Sequence, residues 1–316
     1  MRELPAVTLR GGLGNQLFQM AFLLSSHPSG NIYIDTCSAY AKDSEFVDLL
    51  NFELPGRVKI LGNAKLRNRV LRGINSRILR AGLLVHRKSY LLPVLRALEI
   101  LGSVFYSVHL RTLIRIRAAI GNGYDGRILK FNRPRSLNIG FFQTYKWITE
   151  IAIKQELMSL KPKAMSDELL ELIELAEVMS PLIVHIRLGD YLDDASRGIP
   201  DSKYYQDGIA LMTQQHNPRE IWVFSDDEAL ARKHLLLEFS NVRWFSKVNN
   251  SDIQTFELMR HGSCYLIGNS TFSWWAATLC YNSRPEVVAP SPWFIASPIP
   301  QDLLWDEWKT LPTWIN

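Results

Sequence analysis

Arg187 and Asp190 lie three residues apart in the stretch His185-Ile186-Arg187-Leu188-Gly189-Asp190-Tyr191. That stretch directly follows an apolar run, Pro181-Leu182-Ile183-Val184, which reads as a buried parallel strand. A permanently charged guanidinium and a tight Gly-Asp turn are therefore expected at a strand's carboxyl end, where ligands bind in open α/β sheets. The rigid fork of donors on arginine suits a pyrophosphate. The plain alternative is that Arg187 pairs with Asp190 or another neighbour across a surface loop.

Two more segments offer donors to an anion. The short β-rich run Ala6–Leu9 leads into Arg10-Gly11-Gly12-Leu13-Gly14-Asn15, and a helical pattern begins at Gln16. Backbone N–H groups near that helix start suit a phosphate, although the glycine spacing is not the GxGxxG of dinucleotide binders. A turn that needs glycines only for steric reasons remains open. Near the other end, Gly268-Asn269-Ser270-Thr271-Phe272-Ser273 opens a second helix with hydroxyls and unpaired amides. Plain helix capping is the alternative for Ser270 and Thr271, although a cap needs only one such residue. Asp226 and Asp227 end an apolar run and either bind a ribose or base or cap the next helix.

The surrounding elements must hold these groups. Asn31–Asp35 reads as a strand, Leu83–Ile120 as amphipathic helices and Phe131–Asn138 as a Pro-containing connection. A helix through Ile148–Leu160 ends before Pro162, and Ser166–Met179 is an acidic amphipathic helix. The second half then alternates. Strands at Ile183–Arg187, a run ending Trp222–Asp227, Val242–Phe245, Cys264–Ile267 and Glu286–Ala289 are separated by helices at Ser202–Gln215, Glu228–Leu237, Asp252–His261 and from Ser270 to Tyr281. Such alternation means βαβ units and a doubly wound parallel sheet. With 316 residues the chain fits two domains, 1–163 and 164–316, with a basic helical insertion at about 57–135.

Composition sets the class. The 47% apolar and 21% charged residues are those of a soluble globular protein. Cys37, Cys264 and Cys280 are too scattered for a disulfide framework or a CxxC metal site, which suggests a reducing compartment and a cytoplasmic location. The first residues lack the apolar core of a signal peptide, and no window of 18 uncharged apolar residues suggests a membrane span. Charge is uneven. Between Arg57 and Arg135 there are 18 Lys and Arg against Glu99 and Asp125, a balance of +16, which leaves −11 elsewhere. That block is built to meet something anionic, and the inner face of the cytoplasmic membrane is the expected partner. Nucleic acid is not expected, because the block has few aromatics to stack bases.

Four stretches resemble one family. GGLGNQLFQMA (11–21), GFFQTYKW (140–147), HIRLGDY (185–191) and GNSTFSWWAA (268–277) are similar to bacterial alpha-1,2-fucosyltransferases and occur in that family's order. The resemblance implies a GT-B-like α/β fold, with two Rossmann-type doubly wound domains facing a cleft. It implies an inverting, metal-independent transfer of L-fucose from GDP-fucose to a hydroxyl of a galactose-containing or other glycan, lipid-linked acceptors included. Arg187, Asp190 and Asn15 are then the expected catalytic groups, with Asp193 and Asp194 behind Asp190 as base. Gly12, Leu13, Gly14, His185, Arg187, Asp226, Asp227, Asp252, Asn269, Ser270, Thr271 and Phe272 are the expected donor-binding groups, with no metal and no cofactor. Trp274 and Trp275 are expected in the core. Other linkages, another GDP-sugar and a non-enzymatic anionic-surface binder stay open as alternatives. One departure is visible. The family pattern HxRRGDY has a second arginine where this chain has Leu188, and strand alternation turns residues 187 and 188 to opposite faces.

Overall fold

The computed structural model describes residues 4–40, 48–61, 69–110, 113–130, 135–191, 196–235, 241–296, 299–300 and 302–314; the side chains of 37–40, 69, 129, 130 and 190 fall outside that description. The chain divides into two units, Met1–Leu160 with Pro300–Leu303, and Lys161–Ile299 with Leu304–Asn316.

The first unit carries a five-stranded parallel sheet ordered β3-β2-β1-β5-β4, from β1 (Ala6–Arg10), β2 (Ile32–Tyr40), β3 (Val58–Leu61), β4 (Arg115–Ala118) and β5 (Ser136–Ile139). Every residue of β1 is buried, as a central parallel strand covered on both faces requires. Helix α1 (Leu13–Ser26) buries residues all round its axis, from Leu17 and Phe18 to Leu23 and Leu24, so it too lies inside. Two antiparallel neighbours, α2 (Arg69–Arg87) and α3 (Leu92–Leu110), bury their inner faces in one cluster with β4 and β5. Gly102 of α3 makes the approach close, because a Cβ there would come within 2.7 Å of Ile116 and 2.9 Å of Ile78. A buried polar knot fixes the pair to the sheet. The Tyr106 hydroxyl donates to Asp35 at 2.9 Å, Asn75 donates to Tyr106 at 2.7 Å, and Thr8 donates to Asp35 at 3.2 Å. Helices α4 (Gly126–Lys130) and α5 (Ile151–Met158) complete the unit.

Two expectations change here. Arg115–Ala118 is an edge strand rather than the end of a helix: Ile116 and Ala118 face in while the Arg115 side turns out. Four residues are too few for that period of two to stand out from a neighbouring helical pattern. Ser136–Ile139 is a fully buried strand that overlaps the end of the stretch read as a connection. Ser89–Leu110 is a 22-residue helical stretch long and apolar enough to cross a membrane by length and composition, although Arg96 and Glu99 interrupt it, so no uncharged apolar window of 18 residues arises there. Of these two charges, Glu99 is taken up inside the protein. It accepts the Ala118 N–H at 2.9 Å and pairs with Arg96 at 2.6 Å.

The second unit has a six-stranded parallel sheet ordered β11-β10-β9-β6-β7-β8. Its strands are β6 (Leu182–Ile186), β7 (Ile221–Ser225), β8 (Val242–Phe245), β9 (Cys264–Ile267), β10 (Glu286–Ser291) and β11 (Lys309–Pro312). The crossovers run through α7 (Ser202–His216), α8 (Glu228–Leu235), α9 (Asp252–Met259) and α10 (Thr271–Thr278), and α6 (Asp167–Met179) precedes β6. Ser166 caps α6 by accepting from Leu169 N–H, and Asp201 caps α7 through Tyr204 N–H at 2.8 Å. Leu182, Val184, Ile186, Tyr204, Tyr205, Ile209 and Leu266 form the core on one side of the sheet. Strand β10 continues through Pro290, and the sequence reading missed β11, an edge strand with a lysine and a proline at its two ends.

Both sheets are doubly wound. In the first, the strand order reverses between β1 and β5; in the second, between β6 and β9. Those reversals are the places where an open α/β sheet leaves a crevice at its carboxyl edge.

Candidate functional site

In the second unit the reversal brings together two of the four sequence motifs. His185 pairs in register with Phe224 of β7 on one side and Ile267 of β9 on the other. Just beyond β9, the Gly268 N–H donates to the His185 carbonyl at 3.0 Å. Only glycine fits there, since a Cβ would lie 3.0 Å from that carbonyl and 2.8 Å from the Tyr205 hydroxyl. The Tyr191 hydroxyl donates to the Asn269 carbonyl at 3.1 Å, closing the two loops on each other.

Arg187 leaves the strand end with its side chain 39% exposed. Leu188 turns the other way and is 1% exposed in the core, which is the alternation expected when the strand's pleat persists for two residues. Arg187 is held by Asp226, whose carboxylate lies 3.2 Å from its Nη1 and also accepts the Leu188 N–H at 2.8 Å. The carboxylate therefore grips the backbone and the side chain of one loop. Gly189 leaves room for it, because a Cβ at that position would run into the Asp226 side chain. Sequence reasoning offered Asp226 as a ribose or base ligand and missed this positioning role, for which FSDD alone holds no signal. Asp227 caps α8, accepting the Leu230 N–H at 3.0 Å.

Two buried polar atoms here are unmet. His185 Nδ1 and Asn269 Oδ1 have no hydrogen-bond partner among the described residues. The amide nitrogen of Asn269 is used, donating to the Arg197 and Gly198 carbonyls at 3.2 and 2.9 Å, so its oxygen is aimed by that anchorage. Burial, and secondarily the Arg187 charge, push the His185 imidazole down to about 3, so the ring is neutral near neutrality. An orphaned buried donor or acceptor costs about 1–3 kcal/mol, a cost that a water or ligand group meeting these two atoms would recover.

Beside these atoms, α10 begins. Ser270 is its cap, accepting from Phe272 N–H at 3.3 Å, and Ser273 donates to the Ser270 carbonyl at 3.1 Å. Thr271 opens the helix, and no acidic residue sits in its first turn. The Phe272 ring lies 5.9 Å from His185 and 5.4 Å from Phe256 of α9. Trp274 and Trp275 are fully buried and pack edge to face at 4.9 Å, so they serve the core. Asp252 stands in the first turn of α9 and pairs with Lys247 at 3.0 Å. Gly189–Tyr191 form a short 3-10 turn. The Asp190 side chain, Asp193 and Asp194 lie outside the described residues.

The first unit joins the other two motifs at its own reversal. Gly11 has a positive φ of 76° and turns the chain into α1, for which Gly12 is the cap without a side-chain bond. Leu13 and Gly14 open the helix, and its first turn also lacks acids. Asn15 accepts from Gln143 of the second motif at 2.9 Å. Gln19 accepts the Arg10 N–H at 2.8 Å and donates to the carbonyls of Arg10 and Gly140 at 3.2 and 3.1 Å. Gln16 donates to the Gly11 carbonyl at 2.8 Å and accepts from Leu49 N–H at 2.9 Å. Arg10, 7% exposed at the end of β1, reaches Ser76 at 2.6 Å. Sequence reasoning quoted Gln16, Gln19 and Gln143 within motifs without giving them a part; amides spaced three apart on one helix face were the available signal.

Among the described residues no group of three or more His, Cys, Asp or Glu is placed to hold a metal ion.

Comparisons with known proteins agree with this architecture. Alpha-1,2-colitosyltransferase of Escherichia coli is 30% identical over 164 residues, which is 49% of this chain; the chain thus spans about half, 55%, of that relative's length. The O-antigen biosynthesis glycosyltransferase WbnK of Escherichia coli is 26% identical, with 98% of each chain aligned. Among solved structures, NodZ alpha-1,6-fucosyltransferase soaked with GDP-fucose superposes with a TM-score of 0.50 at 14% identity, covering 94% of this chain and 100% of that one. At that identity the likeness is one of fold, the GT-B fold. The model of glycosyl transferase family 11 matches residues 6–308, nearly the whole chain, and the protein belongs to that family.

Proposed function

We propose that the protein transfers L-fucose from GDP-fucose to a hydroxyl of a glycan, in alpha-1,2 linkage and with inversion at C1. The observation that carries this reading is the pair of unmet polar atoms, His185 Nδ1 and Asn269 Oδ1, beside Arg187 at one strand-order reversal. A neutral imidazole nitrogen and an amide oxygen recognise a hydroxyl or N–H of a sugar nucleotide, while the guanidinium takes its diphosphate. The glycosyltransferase family rules against a protein that merely binds anionic surfaces.

In the transfer, the acceptor oxygen bonds to C1 as the bond from C1 to the β-phosphate oxygen breaks. The bonding pair leaves with GDP, and the hydroxyl proton passes to a base. Asp190 is the proposed base, Arg187 stabilises the charge growing on the leaving diphosphate, and Asn15 orients the acceptor. The first-turn amides of α1 at Gly12–Gly14 and of α10 at Ser270–Phe272 supply further donors to anionic oxygens. Asp226 and Asp227 are committed to Arg187 and to the α8 cap, which supports a reaction that needs no divalent ion. Activity is expected to survive excess EDTA; a many-fold loss restored by Mn²⁺ would refute that part.

A second reading, transfer of a different sugar from its GDP derivative, is favoured by the similarity to a colitosyltransferase. Donor hydrolysis and transfer measured with GDP-fucose, GDP-mannose and GDP-colitose separate the two. GDP binding by calorimetry tests the shared premise, and absence of binding to the intact protein overturns both readings.

A further inference from the structure

The helical hairpin α2–α3 has an outer side unlike that of a helix made for water. Leu95, Glu99, Gly102 and Tyr106 of α3 face the core. On the opposite stripe lie Val94, Ala97, Leu101, Val104, Phe105 and Val108, all exposed and none polar, with Val104 at 57% and Val108 at 74%. A solvated helix carries charges on that stripe, and a continuous apolar surface of this kind marks an interaction site. The neighbouring α2 exposes Arg77, Arg80 and Arg87 at helical spacing, with Leu84 between them. Both helices bury their inner faces in one core cluster, so their outer faces turn away from the same side of the sheet. The hairpin has no carboxylate except Glu99, which is buried.

We infer that this face docks on an anionic lipid bilayer. Helix α3 lies in the plane of the membrane with its apolar stripe at the boundary of headgroups and acyl chains. The arginines of α2 meet the lipid phosphates. An apolar stripe beside a strongly basic helix is the composition of an interfacial element. Spanning is excluded by the inner face: Glu99 accepts the Ala118 N–H and Tyr106 donates to Asp35, so one side of α3 is committed to the protein core. A second copy of this chain fits less well, because a two-fold pairing of this face would bring its arginines close to those of its mate. The inference does not depend on which sugar the enzyme transfers.

The test is flotation of the full chain with vesicles of phosphatidylcholine alone or mixed with phosphatidylglycerol, at low and high salt, beside sedimentation of the protein without lipid. The wild type is expected to float with the anionic vesicles and much less with the neutral ones, with the difference shrinking at high salt. Val104→Glu/Phe105→Glu and, separately, Arg77→Glu/Arg80→Glu are each expected to cut partition into anionic vesicles about tenfold or more. Melting temperature and donor hydrolysis, both expected near wild type, check the fold. If the glutamate pair does not fold, Val94→Ser/Val108→Ser takes its place, with an expected loss of about threefold. Recovery of the wild type in the soluble fraction with both kinds of vesicle at low salt overturns the proposal. Wild-type partition by a folded apolar-face variant does so too, as does a dimer that the apolar-face variants dissociate in a protein that floats with no vesicle.

Discussion

The two units reverse their strand order at equivalent places, yet the side-chain amides there are used differently. At the β1–β5 reversal the amides of Gln16, Gln19 and Gln143 are spent on the unit itself, tying Arg10, Gly11, Asn15, Leu49 and Gly140 together. At the β6–β9 reversal, His185 Nδ1 and Asn269 Oδ1 stay unmet among the described residues, and Arg187 stands partly in solvent on a carboxylate support. One topology thus serves two ends. A satisfied network stiffens a loop, whereas an unsatisfied one keeps recognition in reserve at a cost in stability. Loss of a side chain at the second reversal is accordingly expected to change chemistry, and loss of Gln16 or Gln19 at the first to change folding, with Asn15 set apart as the proposed acceptor-orienting group.

The sharpest way to break this contrast is Asp190→Asn. Turnover is expected to fall by about 10²–10⁴, the usual share of a general base, with GDP affinity little changed. Calorimetry beside kinetics decides it, because lost affinity together with lost turnover means that Asp190 only braces the Arg187 loop. Next in size, Arg187→Lys keeps the charge but loses the fork, and is expected to slow transfer about 10²–10³-fold, or about 3–4 kcal/mol, without a shift in melting temperature. A variant retaining more than about a third of wild-type turnover removes Arg187 from the diphosphate.

In the first unit the expected outcome has the opposite form. Gln19→Ala strands the Arg10 N–H and two carbonyls in a fully buried site, and is expected to lower unfolding stability by about 3 kcal/mol with GDP affinity unchanged. Denaturant titration reads this. A stable variant with impaired GDP binding would mean that the two reversals are alike after all.

A further effect concerns pH. The buried His185 ring refuses a proton down to about 3, whereas the unfolded chain accepts one near 6.5. Stability from this group is therefore complete above 6.5 and is lost as pH falls from 6.5 toward 3. His185→Gln is expected to flatten that part of the stability profile. An unchanged slope would mean that the ring is already charged in the fold.

The sequence made the second unit legible almost strand by strand, because its apolar runs are separated by helices of ordinary length. It also placed Arg187, Gly268 and the Ser270 helix start at strand ends, since strand-to-loop transitions coincide with glycines and charges. Two short strands of the first unit, Arg115–Ala118 and Ser136–Ile139, gave no such signal, being four residues each beside long helices. Pairings across the sequence were hidden for another reason. Asp226 lies 39 residues from Arg187, and only the parallel alignment of β6 with β7 makes them neighbours. The apolar stripe of α3 was masked in the sequence by Arg96 and Glu99, because it takes the fold to show that Glu99 is turned inward and bonded.

The contact of Gly268 with the end of β6 has a mechanical side. Its N–H is clipped to the His185 carbonyl, and no atom fits between the two strand ends. The Tyr191 hydroxyl adds a second clip to Asn269. Displacement of the Ser270 helix start is therefore transmitted to His185 and the Arg187 loop rather than absorbed by slack between them. The loops after β6 and β9 are thus braced as one piece, and an alanine at position 268 would force them apart.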